Sequence, residues 1–230
     1  MSRAAEPTVE LVVARHGERV EWTRNVPANV RVTIYDKGGD LDAVFGAAHV
    51  VQLPNVGREA HTYLQHIVAR YEDLAPMTLF CQGHPFDHAS DLHRVLRALA
   101  SGADRVDDFR WLGFIIDTDD SRGRRLFVNW SKNTDRRELA LDRFCEELLS
   151  TPAPELVRFY PGGQFVATVR CVRTRPRAFY ARALALSERF PDAAHCFERV
   201  WDRVFGVRGV DPAVLGGEPC RYLKPIRRLD

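Results

Sequence analysis

The sequence lacks long apolar runs. No segment approaches the roughly 18 apolar residues of a transmembrane helix, and the first residues, 1–7, carry charges and a proline where a secretory signal needs an apolar stretch. We therefore expect a cytoplasmic protein with no membrane span.

Cysteine is sparse, and no sign of charge dominates. The five cysteines are scattered without a C-x-x-C pair, so neither a disulfide framework nor a cysteine zinc site is indicated. Lys and Arg number 33 against 31 Asp and Glu, and the resulting net charge of +2 argues against nucleic acid as a partner. A G-x-S-x-G motif, which would indicate a serine hydrolase, is also absent.

The composition favours one globular domain. A chain of 230 residues with 45% hydrophobic content can bury a substantial core but is short for two domains. We expect a single α/β domain over residues 1–230, with residues 1–8 and 221–230 as flexible or surface tails. Its oligomeric state is not predicted.

Apolar periodicity predicts alternating strands and helices. Strands are expected at residues 10–15, 30–35, 77–81 and 156–160, and helices at 60–71, 90–99, 136–149, 176–190 and 194–205. The alternation favours a mostly parallel central sheet flanked by helices in a Rossmann-like arrangement. Ligands of such sheets bind beyond the carboxyl ends of the strands.

A polar turn follows the strand at residues 77–81. Its side chains include Gln82 as a candidate ligand-binding residue, and His84, Asp87 and His88 as candidate catalytic residues for proton transfer. Asp87 and His88 are also candidate metal ligands, although Pro85 disfavours a regular helical pair of histidines. Asp87 can alternatively cap the helix that follows.

Several cations and polar residues follow other predicted strands or precede a helix. Arg15 with Glu18, and Lys37, lie just past two strands, where a guanidinium or ammonium can bind a nucleotide diphosphate. Asn55 and Arg58 precede a long helix, whose N-terminal N–H groups favour phosphate. A surface salt bridge and an ordinary helix start are the alternative interpretations.

Two further segments are candidates for ligand or metal binding. Gly162 and Gly163 allow close approach of the backbone to a ligand, and Gln164 can hydrogen-bond it; the alternative is a tight turn between strands. The acidic segment 117–120 contains a D-x-D pattern suited to Mg²⁺ or Mn²⁺. Acidic loops of this kind are more often simply solvated.

Taken together, several segments resemble the domain of unknown function 3431 family. The similarity covers about residues 11 to 205, and its main segments are 12–15, 53–59, 62–64, 80–88, 159–165, 175–180 and 197–201. The family carries no assigned activity. The order of segments in this chain also resembles that of glycosyltransferases of the A type. The similar parts are the first strand, the central strand with its polar turn, and the later G-G-Q-F segment.

The resemblance implies a nucleotide-sugar or similar phosphorylated donor as substrate, in a biosynthetic tailoring step. A-type glycosyltransferases usually place a metal-binding D-x-D after the central strand, where this chain has Gln82-Gly83-His84. The sequence therefore does not decide whether the protein uses Mg²⁺ or Mn²⁺ as a cofactor. Two alternatives remain: a metal-dependent hydrolase or tailoring enzyme using His84, Asp87 and His88, and a non-catalytic ligand-binding protein with a transferase-like fold.

Overall fold

The computed structural model describes residues 8–124 and 137–224. Its main sheet has seven strands in the order β3-β4-β2-β1-β5-β9-β6. The strands are β1 (Val9–Arg15), β2 (Val30–Asp36), β3 (Val44–Phe45), β4 (Ala48–Gln52), β5 (Met77–Gln82), β6 (Phe109–Leu112) and β9 (Gln164–Thr168). Four neighbouring strands, β4, β2, β1 and β5, run parallel, whereas β3 and β9 run antiparallel to their neighbours.

Helices cover both faces of this sheet. They are α1 (Arg58–Arg70), α2 (Leu92–Ala100), α3 (Leu141–Leu149), α4 (Val169–Val172), α5 (Arg177–Arg189) and α6 (Ala193–Val204). Strand β1 divides the core, because Val12 packs with residues of α1, α5 and α6, whereas Leu11 and Val13 pack with residues of α2. Successive side chains of a strand point to opposite faces of the sheet, so the apolar residues of β1 are buried on both faces.

A second sheet of three antiparallel strands lies in the order β10-β7-β8. Its strands are β7 (Ile115–Asp120), β8 (Leu156–Phe159) and β10 (Cys220–Tyr222). The sequence indicated β8 alone, because acidic residues fill β7 and turn residues surround β10. The alternation of predicted strands and helices along the chain gives no sign that some strands form a second, smaller sheet.

The α/β architecture, with a mostly parallel sheet flanked by helices, is confirmed. Helices α1, α2, α5 and α6 agree with prediction to within about two residues, which is the usual uncertainty of helix ends. Helix α3 begins only at Leu141, and the first part of its predicted range, residue 136, lies outside the described residues. No strand was predicted between residue 35 and α1, where the structure has β3 and β4.

Part of the predicted surface tail at the C-terminus forms a strand. Arg221 and Tyr222 are exposed, but they pair with Ile116 and Ile115 as part of strand β10. Lys224 then donates a hydrogen bond of 2.8 Å from its ammonium group to Asp91. Residues 1–7 and 225–230 of the two predicted tails lie outside the described residues. None of the described helices has the length and apolar composition needed to cross a bilayer.

Candidate functional site

The order of the parallel strands creates a crevice between β1 and β5. The chain leaves β1 toward β2 on one side and returns with β5 on the other, so the loops after these two strands diverge. A cavity of about 360 Å³ lies at this position, which we call the switch-point cavity. Its lining includes most of the predicted ligand-binding residues and two of the predicted catalytic residues: Arg15, Glu18, Lys37, Asn55, Arg58 and Gln82, and His84 and Asp87.

Arg15 lies in this cavity, but its charge is already paired. Only 5% of the side chain is exposed, and the guanidinium donates to Asp36 at 2.6 Å, to Asp40, and to the Glu18 carbonyl at 2.8 Å. Two carboxylates thus balance one guanidinium, which leaves little net positive charge for a phosphate. The structure supports Arg15 as a residue that shapes the loops after β1 and β2.

Glu18 caps the loop that follows β1. One carboxylate oxygen accepts hydrogen bonds from the backbone N–H groups of His16 at 2.7 Å and Gly17 at 3.2 Å. Burial opposes the charged form, but these hydrogen bonds outweigh it and lower the pKa of Glu18. The carboxylate is therefore ionised at neutral pH and faces Gly83 of the turn after β5.

Two further cations, Lys37 and Arg58, lie beside the start of α1. Lys37 is buried and donates to the carbonyl groups of Val56 and Arg58, each at 2.5 Å. Burial lowers the pKa of Lys37 to about 8, so the Lys37 side chain is protonated in most molecules at neutral pH. Arg58 is 63% exposed, and its guanidinium lies 3.6 Å from Glu59 and 3.3 Å from His195.

The turn after β5 divides its polar side chains between two cavities. His84 and Asp87 face the switch-point cavity, with the imidazole 3.5 Å from the carboxylate, and Asp87 is 75% exposed. His88 instead lines a neighbouring cavity, where it packs against Gly162. The three predicted catalytic residues are therefore not one cluster. Within residues 8–124 and 137–224, no group of three His, Cys, Asp or Glu side chains is placed to hold a metal ion.

Gly162 and Gly163 lie in the turn between β8 and β9, and Gln164 is the first residue of β9. Gln164 is fully buried, and its amide donates to the Pro85 carbonyl at 3.0 Å, so it holds the turn after β5 in position. Gly162 has a φ of +92°, and a Cβ built there would lie 2.5 Å from the ring of His88. The expected hydrogen bond from Gln164 to a ligand is thus replaced by one within the protein.

The neighbouring cavity, of about 430 Å³, shares Arg58, Glu59 and Gln82 with the switch-point cavity. We call it the second cavity. Several of its polar residues were not identified from the sequence: Glu59, His195, Glu198 and Arg199. Glu59 had a weak signal as an acidic residue at a helix start, whereas the three residues of α6 look like the polar face of an amphipathic helix.

Two carboxyl groups of the second cavity have different environments. Glu198 accepts hydrogen bonds from the Gly162 N–H at 2.6 Å and from Arg199 at 3.1 Å. Burial raises the pKa of Glu59, the positive charge of Arg58 opposes that rise, and the charge of Glu198 adds to it. Burial also lowers the pKa of His88 and of His195, which favours their neutral forms.

The acidic segment 117–120 is a strand and not a solvated loop. Asp117 and Asp119 are buried in β7, and Asp119 pairs with Arg199 at 2.8 Å. Asp120 accepts a hydrogen bond from Arg124 at 2.8 Å. Asp117 also lines the second cavity. These interactions assign Asp119 and Asp120 to ion pairs within the protein.

Comparison with protein families finds a match to the family described as protein of unknown function, DUF3431, over residues 11–214. The chain belongs to this family. A search of curated proteins finds no match. Membership confirms the resemblance to this family, whereas the resemblance to A-type glycosyltransferases stays a prediction. The matched range includes every described residue that lines the switch-point cavity. The family description assigns no reaction, so the chemistry must be inferred from the site.

Proposed function

We propose that this protein is a glycosyltransferase-like enzyme that binds a nucleotide-sugar, or a similar phosphorylated donor, in the switch-point cavity. The observation that carries the proposal is the placement of Lys37 and Arg58 beside the first turn of α1, at the crevice between β1 and β5. Crevices of this kind are the usual ligand sites of open α/β sheets. The resemblance to A-type glycosyltransferases supports the choice of donor.

The charges around α1 favour a diphosphate. The 13-residue helix α1 begins at Arg58, which lines the cavity, and helix dipoles favour anions at this end. Lys37 supplies an ammonium held by two carbonyl groups, and the exposed guanidinium of Arg58 can pair bidentately with phosphate. Asn55 lies in the exposed loop before the helix and is a further hydrogen-bonding partner.

Catalysis would rest on positioning the donor and on neutralising charge that develops on the departing diphosphate. Gln82 lies between the two cavities, and the carboxylate of Asp87 with the imidazole of His84 faces the donor side. Mg²⁺ and Mn²⁺ favour several oxygen ligands, and the described turn brings one carboxylate and one imidazole together. These residues do not fit the usual D-x-D site for a metal ion.

Binding of nucleotides tests the donor. We expect UDP, GDP, dTDP or one of their sugar conjugates to stabilise the protein in thermal-shift assays with and without Mg²⁺ or Mn²⁺. A ligand at 100 times its Kd adds about 2.7 kcal/mol to the free energy of unfolding. Calorimetry on Arg58→Ala should show at least about tenfold weaker binding, since a charged hydrogen bond is lost.

The control is Arg94→Ala, which removes an equally exposed guanidinium from α2, away from both cavities. It should bind nucleotide like the original protein. The proposal fails if no nucleotide diphosphate or sugar nucleotide binds. Binding without any transfer or hydrolysis of the sugar would instead favour a non-catalytic ligand-binding protein.

A further inference from the structure

The second cavity differs in character from the switch-point cavity, because aromatic and aliphatic side chains form much of its wall. Phe114 and Tyr222 stack with ring centroids 6.3 Å apart and planes inclined by 19°. Phe159, Ile115 and Pro161 continue this surface. Small-molecule sites typically combine such an apolar wall with a few well-placed polar groups.

The polar side of the second cavity contains a fixed carboxylate. Glu198 has 15% of its side chain exposed, and each of its oxygens already accepts one hydrogen bond, from Gly162 or from Arg199. A carboxylate oxygen has two lone pairs, so each can accept another hydrogen bond. Arg199 is itself fixed by Asp119, by the His195 carbonyl and by the ring of Phe159, whose centroid lies 4.5 Å away.

From these features we infer that the second cavity binds a small aromatic molecule that carries a hydroxyl group, with the ring against Phe114 and Tyr222 and the hydroxyl donating to Glu198. A sugar acceptor would place some of its hydroxyl groups against the apolar wall, at a cost for each unpaired group. A flat ring with one hydroxyl matches this apolar wall and the fixed carboxylate of Glu198.

If the proposed function holds, on which this step rests, the aromatic molecule is the acceptor of sugar transfer. Its hydroxyl oxygen forms the bond to the anomeric carbon, and the bond from that carbon to the diphosphate oxygen breaks. The bonding electrons leave with the nucleoside diphosphate, and the hydroxyl proton passes to Glu198. The shared lining residues Arg58, Glu59 and Gln82 connect the two cavities across which this transfer would run.

A nucleotide-free binding experiment tests the inference. Calorimetry with 2-naphthol as the probe should show saturable binding, whereas 2-methoxynaphthalene, which cannot donate a hydrogen bond, should bind about tenfold more weakly. Tyr222→Ala should weaken the binding of both probes by about three- to tenfold, because each loses the same aromatic contact. Leu223→Ala is the matched control, since this neighbouring exposed residue does not line the cavity.

Glu198→Gln separates the carboxylate from the aromatic wall. The substitution keeps an oxygen for the Gly162 N–H, and it should reduce the preference for 2-naphthol over 2-methoxynaphthalene to less than about threefold. The inference is overturned if 2-naphthol does not bind, if Tyr222→Ala binds it as tightly as Leu223→Ala, or if the original protein shows no preference between the probes. Tyr222 is exposed, so its variants test the site even if Glu198→Gln does not fold.

The probes contain no nucleotide, so the outcome is independent of donor binding. Absence of nucleotide binding with normal 2-naphthol binding would refute the proposed donor and leave the aromatic site intact. Nucleotide binding without 2-naphthol binding would do the reverse.

Discussion

Arg58 has a backbone conformation that arginine rarely adopts. Its φ is +49°, and Gly57 before it has a φ of +58°, so the chain makes two left-handed steps before entering α1. For a residue with a Cβ such a conformation costs about 1 to 2 kcal/mol. Residues held in this way are frequent at functional sites, where the surrounding structure maintains the strain. Arg58 also lines both cavities, so the strained position coincides with the proposed phosphate contact.

Arg58→Gly should therefore separate stability from binding. Glycine relieves the left-handed conformation, and we expect the free energy of unfolding to rise by up to about 1 kcal/mol in urea titrations. Nucleotide binding should weaken as in Arg58→Ala, which keeps the strain and should not gain stability. A glycine variant that is less stable than the alanine variant would contradict this interpretation.

At the scale of elements, two turns from distant parts of the chain hold each other. The turn between β8 and β9 packs Gly162 against His88, and Gln164 at the start of β9 donates to the Pro85 carbonyl of the turn after β5. Strands β5 and β9 pair antiparallel behind these turns. The position of His88 in the second cavity thus depends on the small size of residue 162.

Gly162→Ala should disturb this arrangement. The left-handed φ of +92° and the approach of 2.5 Å to the His88 ring both penalise a Cβ, and we expect a loss of about 1 to 3 kcal/mol in the free energy of unfolding. His88→Ala in the same chain removes the ring atoms at 2.5 and 2.6 Å, but it leaves the His88 Cβ at 2.8 Å and the backbone cost. Chemical denaturation of the two single variants and the double variant should therefore show a favourable coupling energy, and strict additivity would argue against a direct conflict.

At the scale of the whole molecule, buried histidines make the fold sensitive to acid. His66 lies inside the protein, with its Nδ1 3.1 Å from the Tyr35 hydroxyl and its Nε2 3.8 Å from Glu10. Burial lowers the pKa of His66 from 6.5 to about 4. The unfolded chain consequently binds a proton on this residue at a higher pH than the folded protein does.

The sign of the effect follows from this difference. The contribution of neutral His66 is fully present above pH 6.5 and is lost as the pH falls toward about 4, because protonation then favours the unfolded chain. The loss is on the order of 3 kcal/mol. His66→Gln should flatten the dependence of the free energy of unfolding on pH in this window, measured by urea denaturation at a series of pH values. An unchanged slope would show that other groups control the acid response.

The sequence by itself determined the α/β class, the four long helices, the three parallel strands with apolar runs, and the edge of the sheet where polar loops gather. These features depend on local periodicity and on turn residues, which act within a few positions of the chain. It also indicated Arg15, Lys37 and Gln82 as residues at one edge, and Arg58 as a residue at a helix start, and the structure brings all four to one cavity. Their partners could not be predicted in the same way.

Only the tertiary structure decided which of these groups remain available to a ligand. Asp36 and Asp40 pair with Arg15, and Gln164 bonds within the protein, through contacts between residues distant in sequence. Glu198 joins the second cavity because α6 packs beside the turn after β8, a placement that its own helical pattern cannot encode. Pairing, burial and desolvation depend on what the fold brings near, and those properties set the charge of each group.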